Sequence, residues 1–192
     1  IIVLRREAGK PTDELKKLRT SLASKGAKEN IKIMNDKGDT LPSKDEVESQ
    51  IVALYTKKNY KAFVINYLLF HYGLRNLDLD LVIVKGRARE PKEGNFIRLV
   101  ASKGQATYRR RVYKTVATYG EQTHMITDKK FIASLKAMEA GPLLSGGQIH
   151  NDINRNSIIK EGDMFKLLID SAYKKKDTEE INRLSGTRGT AI

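Results

Sequence analysis

Residues 62–72 read Ala-Phe-Val-Ile-Asn-Tyr-Leu-Leu-Phe-His-Tyr, an apolar run interrupted only by Asn66 and His71. A run of this length predicts a buried helix and is too short to span a bilayer. Gly73 supplies the break at its end, and Arg75, Asp78 and Leu79 follow at once. An arginine at the tip of a buried helix costs desolvation unless an anion meets it. Its planar fork of donors keeps its charge near neutral pH and suits a phosphate. The same residues also fit a plain Arg75–Asp78 surface pair at a helix end.

The pattern on either side supplies the remaining elements. Ser43-Lys44-Asp45-Glu46 is a capping box that opens a helix through Tyr55, with Val47, Ile51 and Leu54 on one side, and Asn59 marks the break before the apolar run. Upstream, residues 13–24 put Leu15, Leu18 and Leu22 on one helical face and Gly26 ends that helix. Ile31–Met34 is a short strand, Asn35–Asp39 a turn, and Pro42 punctuates the chain. Downstream, Leu79–Val84, Asn95–Ser102, Gln105–Tyr113 and Glu121–Thr127 are strands, with a loop at Gly86–Gly94 and a turn at Thr118–Gly120. Asp128 caps a helix over Lys129–Ala140 that turns Phe131, Ile132, Leu135 and Met138 inward. Gly141–Asn156 is a loop, Asp163–Lys174 an amphipathic helix, and Asp177 or Thr178 caps a last short helix, Glu179–Leu184. The predicted fold is α+β and mainly α, with helices around a small antiparallel sheet of three or four strands. Residues 1–42 form an arm or linker with one helix, and residues 43–192 form the core.

Composition narrows the function. The 192 residues are 40% hydrophobic and 31% charged, ordinary for a globular chain, but the formal net charge is +13. That excess points to a polyanion, with nucleic acid the first candidate, or to an acidic partner within an assembly. There is no cysteine, which removes disulfides, thiol catalysis and thiolate metal sites. His71, His124 and His150 share no ligand spacing, so no metal site is expected. No stretch is long enough for a transmembrane helix and the N-terminus lacks a signal-peptide pattern, so no membrane partner is expected. The chain begins at Ile1 and stops at Ile192 inside a motif, and a longer parent protein is expected.

Leu144-Ser145-Gly146-Gly147-Gln148 matches the signature pentapeptide of ATP-binding-cassette proteins. That family also requires a Gly-x-x-x-x-Gly-Lys-Ser/Thr phosphate loop, which this sequence lacks, and a helix after the pentapeptide, where Ile149–Asn156 reads as loop. Arg109, Arg110 and Arg111 lie in a predicted strand, where alternation puts Arg109 and Arg111 on one face and Arg110 on the other. With Lys103 they are candidate contacts to the DNA backbone; the competing reading is a charged edge strand that resists aggregation. Lys174-Lys175-Lys176 fits a helix C-terminus equally well. Lys114, after Tyr113 and before Tyr119-Gly120, stands at a strand end beside a hairpin turn, where a lysine can donate a proton. Ser185-Gly186-Thr187-Arg188-Gly189-Thr190 presents another arginine after a short helix.

Three of these pieces fall in a familiar order. Gly73-Leu74-Arg75-Asn76-Leu77-Asp78-Leu79 resembles the Gly-Leu-Arg-x-x-Glu-Leu box of tyrosine recombinases and integrases, with Asp78 where Glu is usual. Lys114-Thr115 with Gly120, then a strand and the helix after Asp128, looks like that family's lysine β-hairpin. Ser185-x-x-Arg188-Gly189-Thr190 resembles its His-x-x-Arg-His-Thr box, with Ser185 and Gly189 at the histidine positions. The wording around Asn66–Leu68, Arg75–Asp78 and Arg188–Thr190 is similar to integrases of large DNA viruses, virophages and related mobile elements. The resemblance spans roughly residues 43–192.

It implies a recombinase-like catalytic core that cleaves and rejoins DNA through a phosphotyrosyl intermediate, without metal or energy cofactor. Arg75 and Arg188 would hold the charge on the phosphate, Lys114 would protonate the departing 5′ oxygen, and Ser185 would take a histidine's place. The implied partners are double-stranded DNA and a homo-tetramer on two duplexes. The implied setting is intracellular, in a host nucleus or cytoplasmic virus factory, or else the virion. The family's nucleophile follows the second arginine, whereas all eight tyrosines here precede Arg188. Two forms of the reading follow. One is an enzyme core whose tyrosine lies further on. The other is a non-catalytic, basic DNA-binding or virion structural (minor capsid) protein on the same fold.

Overall fold

A computed structural model describes residues 12–18, 20, 21, 41–144 and 149–188, the side chains of Asn182 and of residues 185–188 excepted. The chain divides into two compact units, Ile1–Leu41 and Pro42–Ile192. In the first, residues 13–18, 20 and 21 are helical, within the span expected at 13–24. Leu22, Gly26, the strand expected at Ile31–Met34 and the turn at Asn35–Asp39 lie outside the described residues.

The second unit opens on α1 (Lys44–Thr56). The capping box is formed: Ser43 Oγ accepts from the Glu46 amide at 3.2 Å, and Glu46 Oε2 accepts from the Ser43 amide at 2.7 Å. Next comes α2 (Tyr60–Tyr72), capped by the Asn59 side chain, with eight of its residues buried from Ala62 to Phe70. Burial around most of its circumference makes it the central helix. Tyr55, Phe63, Tyr67 and Phe131 form an aromatic seam along it, with ring centroids 5.5, 5.8 and 4.6 Å apart in turn.

Asn66 explains the polar interruption in the apolar run. It is fully buried, donates to the carbonyls of Ala62 and Asn156 at 2.7 Å each, and accepts from the Ile158 amide at 2.8 Å. It thus satisfies backbone groups of a segment about ninety residues away that would otherwise be buried unpaired.

After α2 a 3₁₀ turn, Asn76–Leu79, leads into the sheet. Its strands are β1 (Leu81–Lys85), β2 (Asn95–Val100), β3 (Gln105–Arg110), β4 (Gln122–Ile126) and β5 (Gly141–Pro142). The order is β4-β3-β2-β1-β5. The small antiparallel sheet of three or four strands expected from the sequence is therefore corrected: among the described residues the sheet has five strands, and β1 pairs β2 in parallel, Leu81 against Asn95 through Lys85 against Leu99. Residues 86–94 make that crossover with no helix. A link shorter than the usual dozen residues suffices because strands this short need only about 17–20 Å of return path.

Leu81, Ile83, Ile97, Leu99, Ala106, Tyr108 and Ile126 share the sheet face that packs into the core with α2 and α4 (Lys129–Ala137). Phe96 and Val84 are buried too, but on the opposite face. Asp128 caps α4 by accepting from the Phe131 amide at 2.7 Å. The helix is shorter than expected, and Lys85 Nζ reaches the carbonyls of Lys136 and Met138 at its end.

The loop expected at Gly141–Asn156 is also corrected. Gly141–Pro142 is β5, antiparallel to β1, and Ile149–Asn156 is α5. This helix is held by buried Ile153, by a 2.6 Å Lys61–Asp152 ion pair and by the Asn66 bond to Asn156. Ile149 and Ile153 carry the i, i+4 spacing that marks it. A helix does therefore follow the Leu144–Gln148 pentapeptide, whose residues 145–148 lie outside the described residues. The missing phosphate loop still separates this sequence from the cassette ATPases. Finally α6 (Glu161–Lys174) ends at the lysine run, and α7 (Thr178–Arg188) runs past the expected stop at Leu184.

Gly73 joins these parts. It ends α2 at φ +55°, and a Cβ added there would lie 2.5 Å from Leu184 Cδ2 of α7. Gly86 has a similar φ of +60° but open space around it. Gly86→Ala should therefore cost only the backbone penalty of about 1–2 kcal/mol. Gly73→Ala should cost at least about 1 kcal/mol more in urea unfolding, and the excess should vanish in a Leu184→Ala background. Equal losses at both glycines would mean that α7 does not dock on the end of α2.

Candidate functional site

Arg75 stands where the chain leaves the αL turn at Gly73, in extended conformation (φ −83°, ψ 157°), before the 3₁₀ turn. The turn is fixed mainly by Asp78, whose residue is 1% accessible. Asp78 Oδ2 accepts from the Arg75 amide at 2.9 Å and from Arg110 Nη2 at 2.5 Å. Its carbonyl accepts from Asn95 Nδ2 at 3.3 Å and from the Tyr108 hydroxyl at 3.2 Å. From the other side, Glu161 of α6 accepts from the Asn76 amide at 2.8 Å. The backbone that carries Arg75 is thus held by a strand, a core tyrosine and a helix, while its side chain is half-buried. The plain Arg75–Asp78 side-chain pair is not the main contact of this carboxylate; its short ion pair is with Arg110.

Arg110 ends β3. Both side chains of the Arg110–Asp78 pair are 2% accessible. The guanidinium also donates to Gln122 Oε1 at 3.1 Å and lies 3.9 Å over the Tyr113 ring. Burial pushes the Asp78 carboxyl above the usual range, against the opposing pull of Arg110 and of the Arg75 amide. Asn95 completes the arrangement: it donates to the carbonyls of Asp78 and Val112 and accepts from the amides of Arg111 at 2.8 Å and Val112 at 2.9 Å.

The sheet topology explains why these residues meet. β1 and β2 run in parallel and both begin at this end; β3 runs back and ends here, and β4 begins here. The link between β3 and β4 carries Lys114, one residue past Tyr113 and before the short helix α3 (Val116–Tyr119). Lys114 is exposed, and the Tyr113 hydroxyl closes the link by donating to the Gly120 carbonyl at 2.6 Å. Because β3 stops at Arg110, Lys114 sits within the hairpin connection rather than at a strand end.

Arg75 and Lys114 therefore share one end of the sheet. Exposed Lys103, in the 3₁₀ turn Ala101–Lys103 between β2 and β3, lies at the other end. Ser185 and Arg188 lie inside α7 rather than beyond a shorter helix, and their side chains are not among those described. The helix itself reaches the end of α2: Arg183 Nη1 donates to the Tyr72 carbonyl at 2.5 Å, and Leu184 meets Gly73. Arg188 follows Leu184 by about 6 Å along the helix axis.

The arginine triplet divides as alternation predicts, with a consequence that changes its role. Arg110 is on the core side and 1% accessible, so it offers no surface to DNA. Arg111 holds the carbonyls of Pro91 and Lys92 and pairs with Glu121 at 3.4 Å. Arg109 is half-exposed on the open face of the sheet.

Nearby, His124 packs on Tyr72 at 4.9 Å and Tyr108 at 6.0 Å between ring centroids. Burial lowers its imidazole below the usual value, and Arg110 and Arg183 add to that. Burial also raises the phenols of Tyr67, Tyr72, Tyr108 and Tyr113, which keeps these four protonated. Among the described residues no cluster of three or more His, Asp or Glu could hold a metal ion, and no helix is long and apolar enough to cross a membrane. Comparison with family models, curated proteins and solved structures finds no match.

What the arrangement offers is an exposed lysine and a half-buried arginine on supported backbone at one end of the sheet. Arg110→Met leaves the Asp78 carboxyl without its guanidinium and should cost about 3–5 kcal/mol of stability. Adding Asp78→Asn to that variant should recover part of the loss. A loss under about 1 kcal/mol for Arg110→Met in chemical denaturation would show that the pair does not hold this end of the sheet.

Proposed function

We propose that residues 42–192 form the phosphodiester-binding core of a DNA strand-exchange protein of the tyrosine recombinase and integrase type. The support is the junction itself. The Arg75 turn and the Lys114 link, distant in sequence, are tied at one end of the sheet through Asp78, Arg110 and Asn95. α7, which carries Ser185 and Arg188, docks on the adjoining end of α2. A net charge of +13 fits a DNA partner.

In this reading Arg75 and Arg188 bind the non-bridging oxygens of one phosphate, where negative charge grows as a tyrosine oxygen attacks phosphorus. The bond from phosphorus to the 5′ oxygen breaks, and Lys114 gives that oxygen its proton. The reaction needs a tyrosine after Arg188, and none of the eight in this sequence stands there. The contribution of this chain's own residues is to hold the phosphate and protonate the leaving group. Double-stranded DNA is the proposed partner, and tetramer assembly on two duplexes belongs to the same reading.

Binding of a labelled duplex across a salt series tests it. The chain should bind DNA with an affinity that falls steeply with salt. Arg75→Ala and Lys114→Ala should each weaken binding several-fold and lower the salt slope by about one. DNA binding indifferent to both substitutions would leave only a positively charged scaffold, as expected of a virion or packaging protein. Absence of binding would remove the DNA reading altogether.

A further inference from the structure

The link between β1 and β2, residues 86–94, reads in the sequence as an ordinary loop, yet two arginines brace it, one in β2 and one just past the end of β3. Arg98 of β2 donates to Glu90 Oε1 at 2.6 Å, to the Ala88 carbonyl at 2.8 Å and to the Gly86 carbonyl at 3.4 Å. Arg111 donates to the carbonyls of Pro91 at 2.9 Å and Lys92 at 3.2 Å, and its guanidinium lies 5.1 Å from the Phe96 ring centroid. Phe96 and Arg98 point away from the core face of β2. The loop therefore crosses the open face of the sheet and covers Phe96, which is 0% accessible.

This bracing leaves a particular set of charges outside. Arg87, Arg89 and Lys92 are exposed, and Glu90 is taken up by Arg98. Exposed Glu93 is the loop's other acid. Arg109 pairs in register with Phe96, so it stands on the same face of the sheet. The loop starts at the far end of β1 and returns to the start of β2, at the Arg75 end. Its cations thus lie along a path of about 17 Å, the length of roughly five base pairs of duplex.

We infer that this braced loop is a second DNA contact, which grips the phosphate backbone beside the nucleotide held at the Arg75 and Lys114 end; the inference rests on the DNA reading above. The arginine triplet then serves mainly as scaffold, since Arg110 anchors Asp78 and Arg111 anchors the loop, while the loop presents the cations. A loop ordered before binding loses less conformational entropy when it meets DNA.

The test measures fluorescence anisotropy of a labelled 30-base-pair duplex from 50 to 300 mM KCl, with folding checked by circular dichroism. Replacing Arg87, Arg89 and Lys92 together with Gln should lower affinity at least tenfold and reduce the salt slope by about two to three. Arg98→Met combined with Glu90→Gln keeps the three cations and the local net charge but removes one of the loop's two braces, so affinity should fall several-fold with the slope unchanged. If the unaltered chain binds DNA and the triple variant matches it in affinity and slope, the loop contact is overturned while the DNA reading stands. If the unaltered chain binds no DNA, both fall. If the triple variant loses only binding to polyglutamate, used as a probe for an acidic protein, the loop serves a protein partner and this inference is overturned.

Discussion

A carboxylate and a guanidinium, each about 2% accessible, meet at 2.5 Å where the approach to β1 comes against the end of β3. Two charges taken from water cost several kcal/mol apiece, and their attraction offsets that only when geometry and further hydrogen bonds are good. The surroundings supply most of this, although Arg110 Nε has no hydrogen-bond partner. Gln122 takes another nitrogen of Arg110, Tyr113 lies under its plane, and the Arg75 amide shares the Asp78 oxygen. None of these partners can be removed without leaving a buried charge short of contacts. The pair thereby ties a turn to a strand end thirty-two residues away. It is a costly way to gain stability, since an apolar pair could fill the same space. What it adds is a fixed backbone position for Arg75, a half-buried residue.

The second constraint is the end of α2. Gly73 leaves the helix in a left-handed conformation and admits Leu184 at a distance no side chain there would allow. The chain then turns at once into Arg75, so the packing that seats α7 and the turn that presents the arginine are two consequences of one glycine. Arg183 adds a bond to the Tyr72 carbonyl, which would otherwise be an orphan acceptor at the helix end. Core packing, helix termination and site geometry are therefore not separable here.

Local pattern foretold much of this. The capping box at Ser43, the buried helix to Tyr72, its stop at Gly73, the four principal strands and the cap at Asp128 all rest on short-range chemistry that a sequence displays directly. Alternation even assigned Arg110 to the face opposite Arg109 and Arg111. Its partner stayed hidden because Asp78 and Arg110 are joined by strand register, which no local rule conveys. The parallel pairing of β1 with β2 was missed for a related reason: a short link with Gly at both ends looks like a hairpin, and only Arg98 and Arg111 reveal that it crosses a sheet face. α5 was missed because its asparagines favour loops, whereas Ile153 and the bonds from Lys61 and Asn66 hold it as a helix.

An anionic backbone seated at the Arg75 end of the sheet is what the proposed function requires. An NMR titration of the ¹⁵N-labelled chain with a short duplex addresses this most directly, because it locates contact without relying on any substitution. The largest amide shifts should fall at Gly73, Arg75, Asn76, Lys114 and Thr115, with little change at Asp45 and Glu48 on α1. Shifts confined to residues before Pro42, or scattered over lysines with none at Gly73–Asn76, would contradict it.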